Sequence, residues 1–496
     1  MRWILLAMVL AAFPSVGQAA DRPNIVILYA DDMGYGDLHA NNPDSKIPTP
    51  NLDRLASEGM RFTDAHSSSG ICTPSRYALL TGRYHWRKFH DIVYAFGPPV
   101  IADEEFTLPE MLKAQGYRTA CIGKWHLGWN WSEILRPDAN VKQDRGNLVI
   151  PPEAFDWNRS VSGGPTSHGF DYYFGDDVPN FPPYAWIEND RVIEPPTVML
   201  TETPKTPEGK WNARRGPAVA DWDFWGVVPR LADKAVEWIA EQKGEQQPFF
   251  LYVPFNSPHS PIVPTPEFAG KSEAGPFGDF VNMTDAMAGK ILQALKDNGF
   301  EDNTLVLFTA DNGAENYAYA RLENFGHWSS APFRGVKRDL YEGGHHVPFL
   351  VRWPGHVKPG SVNDSLTSQV DIMGTLAAIV EADLPADAAH DSYNQQANWT
   401  TNEGGRRTTI VHNTFAKAYA IRDGNWLLIQ AESGSHNRVP AWFDQEKGYT
   451  EDQQPGELYD LEIDPAQKHN LYSEKPQLVE KLSQKLKQIR SRGQVR

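Results

Sequence analysis

Continuous apolar runs that end in polar turns recur between residues 24 and 353 of the chain. The runs Asn24–Ala30, 248–253 and Thr304–Ala310 contain no charged residue, which is typical of strands buried on both faces of a parallel sheet. Between the runs lie helical segments such as 49–59, where Thr49 is a cap, Pro50 follows it and Gly59 ends the helix. This alternation predicts an α/β fold with a large, mostly parallel central sheet flanked by helices.

The pattern changes beyond residue 380, where the long apolar runs give way to short ones. Residues 409–411, 418–421 and 426–430 are each typical of a short antiparallel strand, and a basic helix ends the chain. We therefore predict a catalytic domain over residues 21–382 and a smaller C-terminal α+β subdomain with a short antiparallel sheet over residues 383–496.

The first 20 residues have the pattern of a secretory signal peptide. Arg2 precedes an apolar run over residues 3–13, and small residues lead to Ala20. The run is shorter than the roughly 20 residues that span a bilayer, so a membrane span is not expected. The sequence predicts a signal peptide over residues 1–20 and a secreted or periplasmic protein.

The composition is that of an ordinary globular protein, with 41% hydrophobic and 22% charged residues among 496. The formal net charge of −16 argues against a nucleic-acid-binding role, which requires a basic face. A protein of this charge that handles an anionic substrate must build a local positive pocket.

One stretch carries the strongest chemical signal. Cys72-Thr73-Pro74-Ser75-Arg76 leads into a predicted helix that Gly82 stops, so Cys72 stands at a helix N-terminus, where negative charge is favoured. Arg76 follows one turn later. A free cysteine is more often a buried structural residue, and we interpret Cys121, the second cysteine, in that way within the predicted strand at 118–122.

Residues 72–76, followed by Leu-x-Thr-Gly at 79–82, resemble the signature of the type I sulfatases, which are arylsulfatase-like members of the alkaline phosphatase superfamily. The resemblance implies an alkaline-phosphatase-like sandwich. It also implies that a formylglycine-generating enzyme oxidises Cys72 to formylglycine during maturation and that the hydrated aldehyde is the nucleophile. A modified Cys72 would form no disulfide with Cys121.

Oxygen donors follow two of the predicted strands. Asp31 and Asp32 end the first, and Asp311 and Asn312 end the strand at 304–310. Ligands of open α/β sheets bind at the carboxyl ends of strands, and three carboxylates with one amide suit a hard divalent cation. In the family that this chain resembles, the matching residues bind calcium and, less often, magnesium.

The same resemblance implies a set of side chains around the sulfate. Lys124 and His126 lie in a Gly-Lys-Trp-His motif, and Lys337 matches a second sulfate-binding lysine. His259 matches the general acid that protonates the leaving oxygen, and His126 assists the second step, in which sulfate is released. Arg76 completes the set of cationic residues.

Residues 129–230 are irregular and rich in aromatic residues, which is typical of a binding surface. We expect the contacts to the sugar to come from this segment. The candidate substrate-binding residues, beyond Lys124, His259 and Lys337, are Arg159, His168, Asp176, Asp177 and Trp186.

The sequence thus predicts an exported sulfatase that hydrolyses sulfate esters on carbohydrates, either polysaccharides or glycosaminoglycan-type oligosaccharides. A phosphodiesterase or phosphonate monoester hydrolase of the same superfamily stays open as an alternative. A non-catalytic sugar-binding protein is disfavoured, because the nucleophile and metal motifs are complete.

Overall fold

The computed structural model describes residues 22–144, 147–201, 205–208, 213–450 and 453–495. The predicted signal peptide lies outside these residues. Within the described ranges, no helix is both long enough and apolar enough to cross a lipid bilayer.

In the described residues, the long strands of the central sheet are separated by helices, whereas the short strands between residues 142 and 218 follow one another with no α-helix between them. The strands are β1 Asn24–Ala30, β2 Met60–Phe62, β3 Ala65–His66, β4 Arg118–Ile122, β5 Lys142–Asp144, β6 Asn147–Val149, β7 Tyr172–Gly175, β8 Ile187–Glu188, β9 Arg191–Val192, β10 Val198–Leu200, β11 Gly216–Ala218, β12 Phe249–Pro254, β13 Thr304–Ala310, β14 Phe349–Arg352, β15 Ser361–Asn363, β16 Thr367–Ser368, β17 Thr409–Asn413, β18 Tyr419–Asp423, β19 Trp426–Ile429 and β20 Glu457–Asp460.

The α-helices in the same residues are α1 Pro50–Glu58, α2 Cys72–Thr81, α3 Leu108–Ala114, α4 Val227–Glu241, α5 Gly275–Asp297, α6 Ala318–Phe325, α7 Ile372–Ile379, α8 Gln396–Thr401, α9 Ala441–Lys447 and α10 Pro476–Ser491. Short 3-10 turns lie at Tyr35–Asp37, His85–Arg87, Trp131–Glu133, Pro152–Ala154, Pro165–His168, Glu301–Asn303, Glu342–Gly344 and Gln369–Asp371.

The central sheet has ten strands in the order β15-β2-β14-β13-β1-β12-β4-β7-β8-β9. The core from β13 to β7 is parallel, whereas β14, β8 and β9 pair antiparallel at the two sides. The prediction of an α/β fold with a mostly parallel sheet is confirmed. The expected strand 61–66 is divided into β2 and β3, which lie in different sheets.

Helices cover both faces of this sheet. Alternate side chains of β1 point to opposite layers: Ile25 and Ile27 pack with α2, α3 and α7, whereas Val26 and Leu28 pack with α1, α4 and α5. Cys121, on β4, is fully buried in the first of these layers. The result is the sandwich that the resemblance implied.

A second sheet, β17-β18-β19-β20, is antiparallel throughout and carries α10 on one face. Leu482 and Leu486 of the helix pack with Ile421 and Leu428 of the sheet. This is the predicted C-terminal antiparallel unit. Its boundary at residues 382 and 383 stays a prediction.

Candidate active site

Helix α2 presents Cys72 at its first position. Ile71 before it is extended, with φ −145° and ψ 159°, and Gly82 closes the helix in a left-handed conformation at φ 62°. Pro74 is tolerated because the N–H groups of a first helical turn have no intrahelical acceptor. The helix therefore begins at Cys72, three residues earlier than the pattern suggested. Burial raises the pKa of the Cys72 thiol, although Lys124 and Lys337 oppose that shift.

The four predicted metal-binding residues meet at one edge of the sheet. Ala30 and Ala310 are paired across β1 and β13, so the residues that follow them emerge side by side. All four side chains are buried. Among the described residues, Asp31 Oδ1, Asp32 Oδ2 and Asn312 Oδ1 have no hydrogen-bond donor. Buried oxygens without donors, mostly from carboxylates, fit a hard cation such as calcium.

Each of the three carboxylates also faces a cationic side chain. Lys124 Nζ lies 2.5 Å from Asp31 Oδ2, and Lys337 Nζ lies 2.5 Å from Asp32 Oδ1. The guanidinium of Arg76 donates to Asp311 Oδ2 at 2.7 Å. Burial acts to raise the pKa of Asp32, but Lys337 and His259 outweigh it and lower that pKa. Burial and the neighbouring Asp31 raise the pKa of Asp311 to about 6.

Two hydrogen bonds, one at its N–H and one at its carbonyl, fix the backbone of His126. Its N–H donates to Asp177 Oδ1 at 3.1 Å, and its carbonyl accepts from Thr73 Oγ1 at 2.9 Å. These contacts stabilise a left-handed backbone with φ 55°, which is uncommon for a residue with a side chain. The ring lies 3.0 Å from the Val93 carbonyl through Nε2, whereas Nδ1 is buried without a partner in the described structure. Burial lowers the pKa of His126 well below its usual value.

His259 stands beside Asp32. Its Nδ1 lies 2.5 Å from the Ser260 carbonyl, which can only accept, so Nδ1 carries the proton. Its Nε2 lies 3.8 Å from Asp32 Oδ2. Burial lowers the pKa of His259 to about 3, and the Asp32 carboxylate opposes that shift. The ring therefore presents Nε2, backed by a carboxylate, as the atom that can exchange a proton.

A pocket of about 330 Å³ opens over these groups. Cys72, His126, His259 and Lys337, four of the residues proposed from the sequence, line it together. Arg76 and Lys124 lie behind this layer, fully buried, and contact the carboxylates. The arrangement places the buried position 72 beside a cluster of cationic groups and the Nε2 atom of His259.

None of the five residues proposed from segment 129–230 lines this pocket. His168 stacks on Trp125 with ring centroids 6.1 Å apart, and Trp186 stacks on Phe174 at 4.9 Å. Asp176 accepts twice from Asn256 Nδ2, at 2.7 and 2.8 Å. Asp177 holds the backbone of His126, and Arg159 is exposed elsewhere on the surface.

Other residues, which the sequence reasoning missed, form the rim of the pocket. Segment 129–230 contributes Asn180, Phe181 and Arg214. Five other parts of the chain contribute Asp91, Ile92, Tyr94, Ser260, Glu315, Arg338 and Phe415. The one available signal was Arg338, which directly follows the predicted Lys337 and pairs with Glu315 at 2.6 Å.

Comparison with known families gives two matches. A family model described as Sulfatase matches residues 23–382. A second model, described as N-sulphoglucosamine sulphohydrolase, C-terminal, matches residues 335–434.

Curated relatives are similar over most of the chain. An N-acetylgalactosamine-6-O-sulfatase of Bacteroides thetaiotaomicron is 33% identical, covering 96% of this chain and 94% of the relative. Human arylsulfatase A is 32% identical, and the alignment covers 96% of this chain and 88% of the relative. Mouse N-acetylgalactosamine-6-sulfatase is 34% identical, covering 78% and 68%.

Two solved structures extend the comparison. One, described under the metabolism of multiple glycosaminoglycans by Bacteroides thetaiotaomicron, is 32% identical with a TM-score of 0.79 and covers 95% of this chain and 100% of its own. A sulfatase structure from Pseudoalteromonas has a TM-score of 0.71 at 24% identity, covering 94% and 89%, and supports the fold alone.

Proposed function

Since the chain belongs to the type I sulfatase family and is a sulfuric ester hydrolase, we propose that it removes sulfate esters from sulfated carbohydrates of the glycosaminoglycan type. One observation carries the proposal: position 72, at the start of α2, opens into a pocket lined by His126, His259 and Lys337. A pocket of this size accepts one sulfated sugar unit and leaves the rest of a chain at the rim.

The substrate unit is a 6-O-sulfated N-acetylgalactosamine. Its support is the relative of that name, which aligns along nearly the whole of both chains. The rim supports a polar, anionic sugar, because Arg214 and Arg338 bring positive charge and Asn180 and Tyr94 bring hydrogen-bonding groups to the pocket.

Two groups complete the site in this proposal. A formylglycine made from Cys72 supplies a hydroxyl nucleophile, and a calcium ion, in preference to magnesium, polarises the S–O bond. Asp31, Asp32, Asp311 and Asn312 hold the ion. The three donor-free oxygens at the ends of β1 and β13 support this assignment.

The chain's own residues bind the sulfate and move the protons. Lys337, which lines the pocket, neutralises the sulfate oxygens once the substrate enters, and Lys124 adds positive potential from behind the pocket wall. The bond between the sugar oxygen and sulfur breaks, and the departing oxygen takes a proton from His259 Nε2. The products are the free sugar hydroxyl and inorganic sulfate, with one water consumed.

His259 is charged for this step only while an anion is bound. Its Nδ1 proton is committed to the Ser260 carbonyl, so a proton on Nε2 makes the ring cationic. Asp32 and a bound sulfate both favour that cation. His126, whose Nδ1 has no partner in the described structure, assists the release of sulfate.

The proposal includes export and maturation. The pattern of residues 1–20 supports transport to the periplasm or the medium. A formylglycine-generating enzyme acts on residues 72–76 before that segment is buried, since Cys72 is only 3% exposed after folding.

The test is a panel of oligosaccharides with sulfate at single defined positions, assayed beside phosphate esters of the same sugars. We expect sulfate release from 6-O-sulfated N-acetylgalactosamine and an aldehyde at position 72 in the mass spectrum of active protein. Preference for the phosphate esters would instead indicate the alternative activity, that of a phosphodiesterase or phosphonate monoester hydrolase. Full activity with an unmodified thiol at position 72 would exclude the formylglycine.

A further inference from the structure

A second cavity, larger than the catalytic pocket, lies where α10 crosses the segment that follows α2. Its volume is about 1080 Å³. We call it the basic groove, and its charged lining residues are Arg83, Arg87, Glu480, Lys487, Arg490 and Arg492. Five cations therefore face one carboxylate, in a chain whose formal net charge is −16.

Helix stabilisation alone does not account for this charge. Cations in the last turn of a helix offset its dipole, which suits Arg490 on α10 but not Lys487, which lies one residue before that turn. Arg83 and Arg87 belong to a different segment, directly after α2, and gain nothing from that dipole. Two separate elements thus direct like charges into one space. Asp391 and Glu105 pair with Arg87 and Arg83, whereas a bound anion would stabilise the cations that have no such partner in the described residues.

The wall of the groove is fixed by buried contacts. Arg87 donates through Nε and one terminal nitrogen to the two oxygens of Asp391, each at 2.7 Å, and Asp391 is fully buried. Arg87 also donates to the Arg492 carbonyl at 2.6 Å. The guanidinium of Arg490 lies 3.8 Å from the ring centre of Tyr419. Arg87 and Arg490 are therefore positioned before any ligand arrives.

Two of the cations are available to a ligand. Lys487 and Arg492 are exposed, and within the described part of the chain their side chains make no hydrogen bond or ion pair. Arg83 pairs with Glu105 at 3.4 Å, and its buried Nε–H has no hydrogen-bond acceptor in the same residues.

The groove and the catalytic pocket share their supporting segments. The segment after α2 places Arg83 and Arg87 in the groove and Asp91 and Tyr94 in the pocket. The turn before β18 places Phe415 in the pocket, and Tyr419, at the start of that strand, lines the groove. Helix α2, about 15 Å long, joins Cys72 to the groove side.

We propose that the basic groove is a second, non-catalytic binding site for a sulfated polysaccharide, which holds the polymer close to the pocket that cleaves its sulfate esters. This site rests on the proposed function for the identity of the polymer. Its volume exceeds that of a pocket for one small ligand, and its charge suits several sulfate or carboxylate groups in series. Binding at the groove raises the local concentration of substrate at the pocket, because the two sites are then linked through one chain.

The test reverses the two available charges in a Lys487→Glu/Arg492→Glu double variant. The matched control is Lys243→Glu/Lys358→Glu, which changes the net charge equally at two exposed lysines outside both cavities. Binding of a chondroitin sulfate polymer is measured by calorimetry, with Cys72→Ala added to every protein so that no turnover occurs. Rates on the polymer and on a sulfated monosaccharide are measured with Cys72 intact.

We expect the groove variant to bind the polymer at least tenfold more weakly than the control does, with the difference shrinking as salt is added. Its kcat/KM should fall about tenfold on the polymer and stay within twofold on the monosaccharide. Equal weakening in the control variant, or an equal loss on both substrates, would overturn the proposal. Equally tight binding of a single-stranded DNA of the same charge, with the same sensitivity to the variant, would also overturn it.

These outcomes separate the groove from the proposed function. Equilibrium binding is measured without turnover, so it reports on the groove even if no sulfate ester proves to be a substrate. Hydrolysis of the monosaccharide reports on the catalytic pocket even if the groove binds nothing.

Discussion

Arg76 and Asp311 form a fully buried ion pair, with the guanidinium 2.7 Å from Asp311 Oδ2, and this pair connects the helix that begins at Cys72 to the end of β13. The same guanidinium donates to the Lys124 carbonyl at 3.1 Å. Three segments that are distant in sequence are thus held in register by one side chain. Arg76 positions the helix that begins at Cys72 and the carboxylates of the proposed metal site, and it lies behind the residues that line the pocket.

Replacement of Arg76 by lysine should separate the effect of the positive charge from the effect of the guanidinium's hydrogen-bond geometry. Lysine keeps the charge but cannot donate to both Asp311 and the Lys124 carbonyl, so one buried acceptor loses its partner. We expect the free energy of unfolding to fall by about 1–3 kcal/mol and kcat/KM by at least tenfold. Urea denaturation and initial rates measure both. The control is Arg54→Lys, at a half-exposed arginine on α1, and an equal effect there would contradict the positioning role.

Calcium should stabilise the folded protein through the donor-free oxygens. At a concentration 100-fold above its Kd, the ion is expected to add about 2.7 kcal/mol to the free energy of unfolding. Asp31→Asn removes one charge from the site, so calcium should then stabilise the protein much less. Thermal unfolding with and without calcium, after chelation, measures this. Asp364→Asn, at an exposed carboxylate, is the matched control.

Equal stabilisation of the Asp31→Asn protein and the native protein would contradict the assignment of these oxygens to the ion. Magnesium, tested at the same concentration, should stabilise less. Its demand for near-ideal octahedral geometry is harder to meet with four protein side chains than the flexible coordination of calcium.

A buried group of histidines should make the stability fall as the pH falls. His345 stacks on His412 with ring centroids 3.4 Å apart, and its Nδ1 lies 3.1 Å from His66 Nδ1. Burial lowers the pKa of His345 to about 3, and burial also lowers the pKa of His412 well below its usual value. These rings are therefore neutral in the folded protein and take up protons in the unfolded chain below about pH 6.5.

The direction of this pH dependence follows from the difference in proton binding between the folded and the unfolded chain. A histidine whose pKa is lower in the folded protein than in the unfolded chain does not affect the free energy of unfolding at a pH above the unfolded pKa. As the pH falls from the unfolded pKa towards the folded pKa, the free energy of unfolding decreases steadily. For His345 alone this amounts to about 2 kcal/mol between pH 7 and pH 5. Asp64 and Glu342 face the same group, and their lowered pKa values cost stability only below about pH 4.5. They do not mask the effect of the histidines.

The measurement is urea denaturation between pH 5 and pH 7.5. His412→Phe keeps a stacked ring and removes one proton-binding site. The free energy of unfolding of this variant should therefore depend less steeply on pH, with up to one proton fewer taken up on unfolding. His356→Phe, at an exposed histidine stacked on Trp353, is the control. An unchanged slope in the His412→Phe protein would show that the ring is already charged or solvated in the folded state.

Much of the site was predictable because it depends on local signals. Asp31 and Asp311 end apolar runs, and parallel strands bring such ends to one edge of a sheet. Cys72, Lys124 and Lys337 lie in short sequence motifs that can be recognised without any knowledge of the packing. The strands β1 and β13 were predicted to the residue for the same reason, since an uncharged run has sharp boundaries. The bounds of β4 were also predicted to the residue, although that strand begins with the charged Arg118.

The rim of the pocket was not predictable in this way. Tyr94, Asn180, Arg214 and Phe415 lie in irregular segments, and only the topology of the whole chain brings them together. The histidine cluster has the same origin, because residues 66, 345 and 412 have no periodic relationship. Trp186 illustrates the converse, since an aromatic residue in a binding-like segment packs against Phe174 instead.

Specificity for the sugar should depend on Arg214. It lines the pocket, and its guanidinium lies 5.7 Å from the ring centre of Phe181, which lines the same pocket. We therefore propose that Arg214 contacts the sugar above the sulfate. Arg214→Ala should lower kcat/KM on the preferred sulfated sugar by about tenfold, equivalent to about 1.4 kcal/mol of transition-state stabilisation. An aryl sulfate has no sugar to contact, so its rate should stay within twofold.

Arg159→Ala is the matched control for this change. Arg159 is an arginine of the same irregular segment and was proposed from the sequence as a substrate-binding residue, but it is exposed and lies outside the lining of the pocket. Because no contact to the sugar is available from that position, we expect both substrates to react at unchanged rates. A loss confined to the sugar in the Arg159→Ala protein, with none in Arg214→Ala, would move the specificity site to the surface around Arg159. An equal loss on both substrates in Arg214→Ala would instead show that Arg214 supports the sulfate pocket itself.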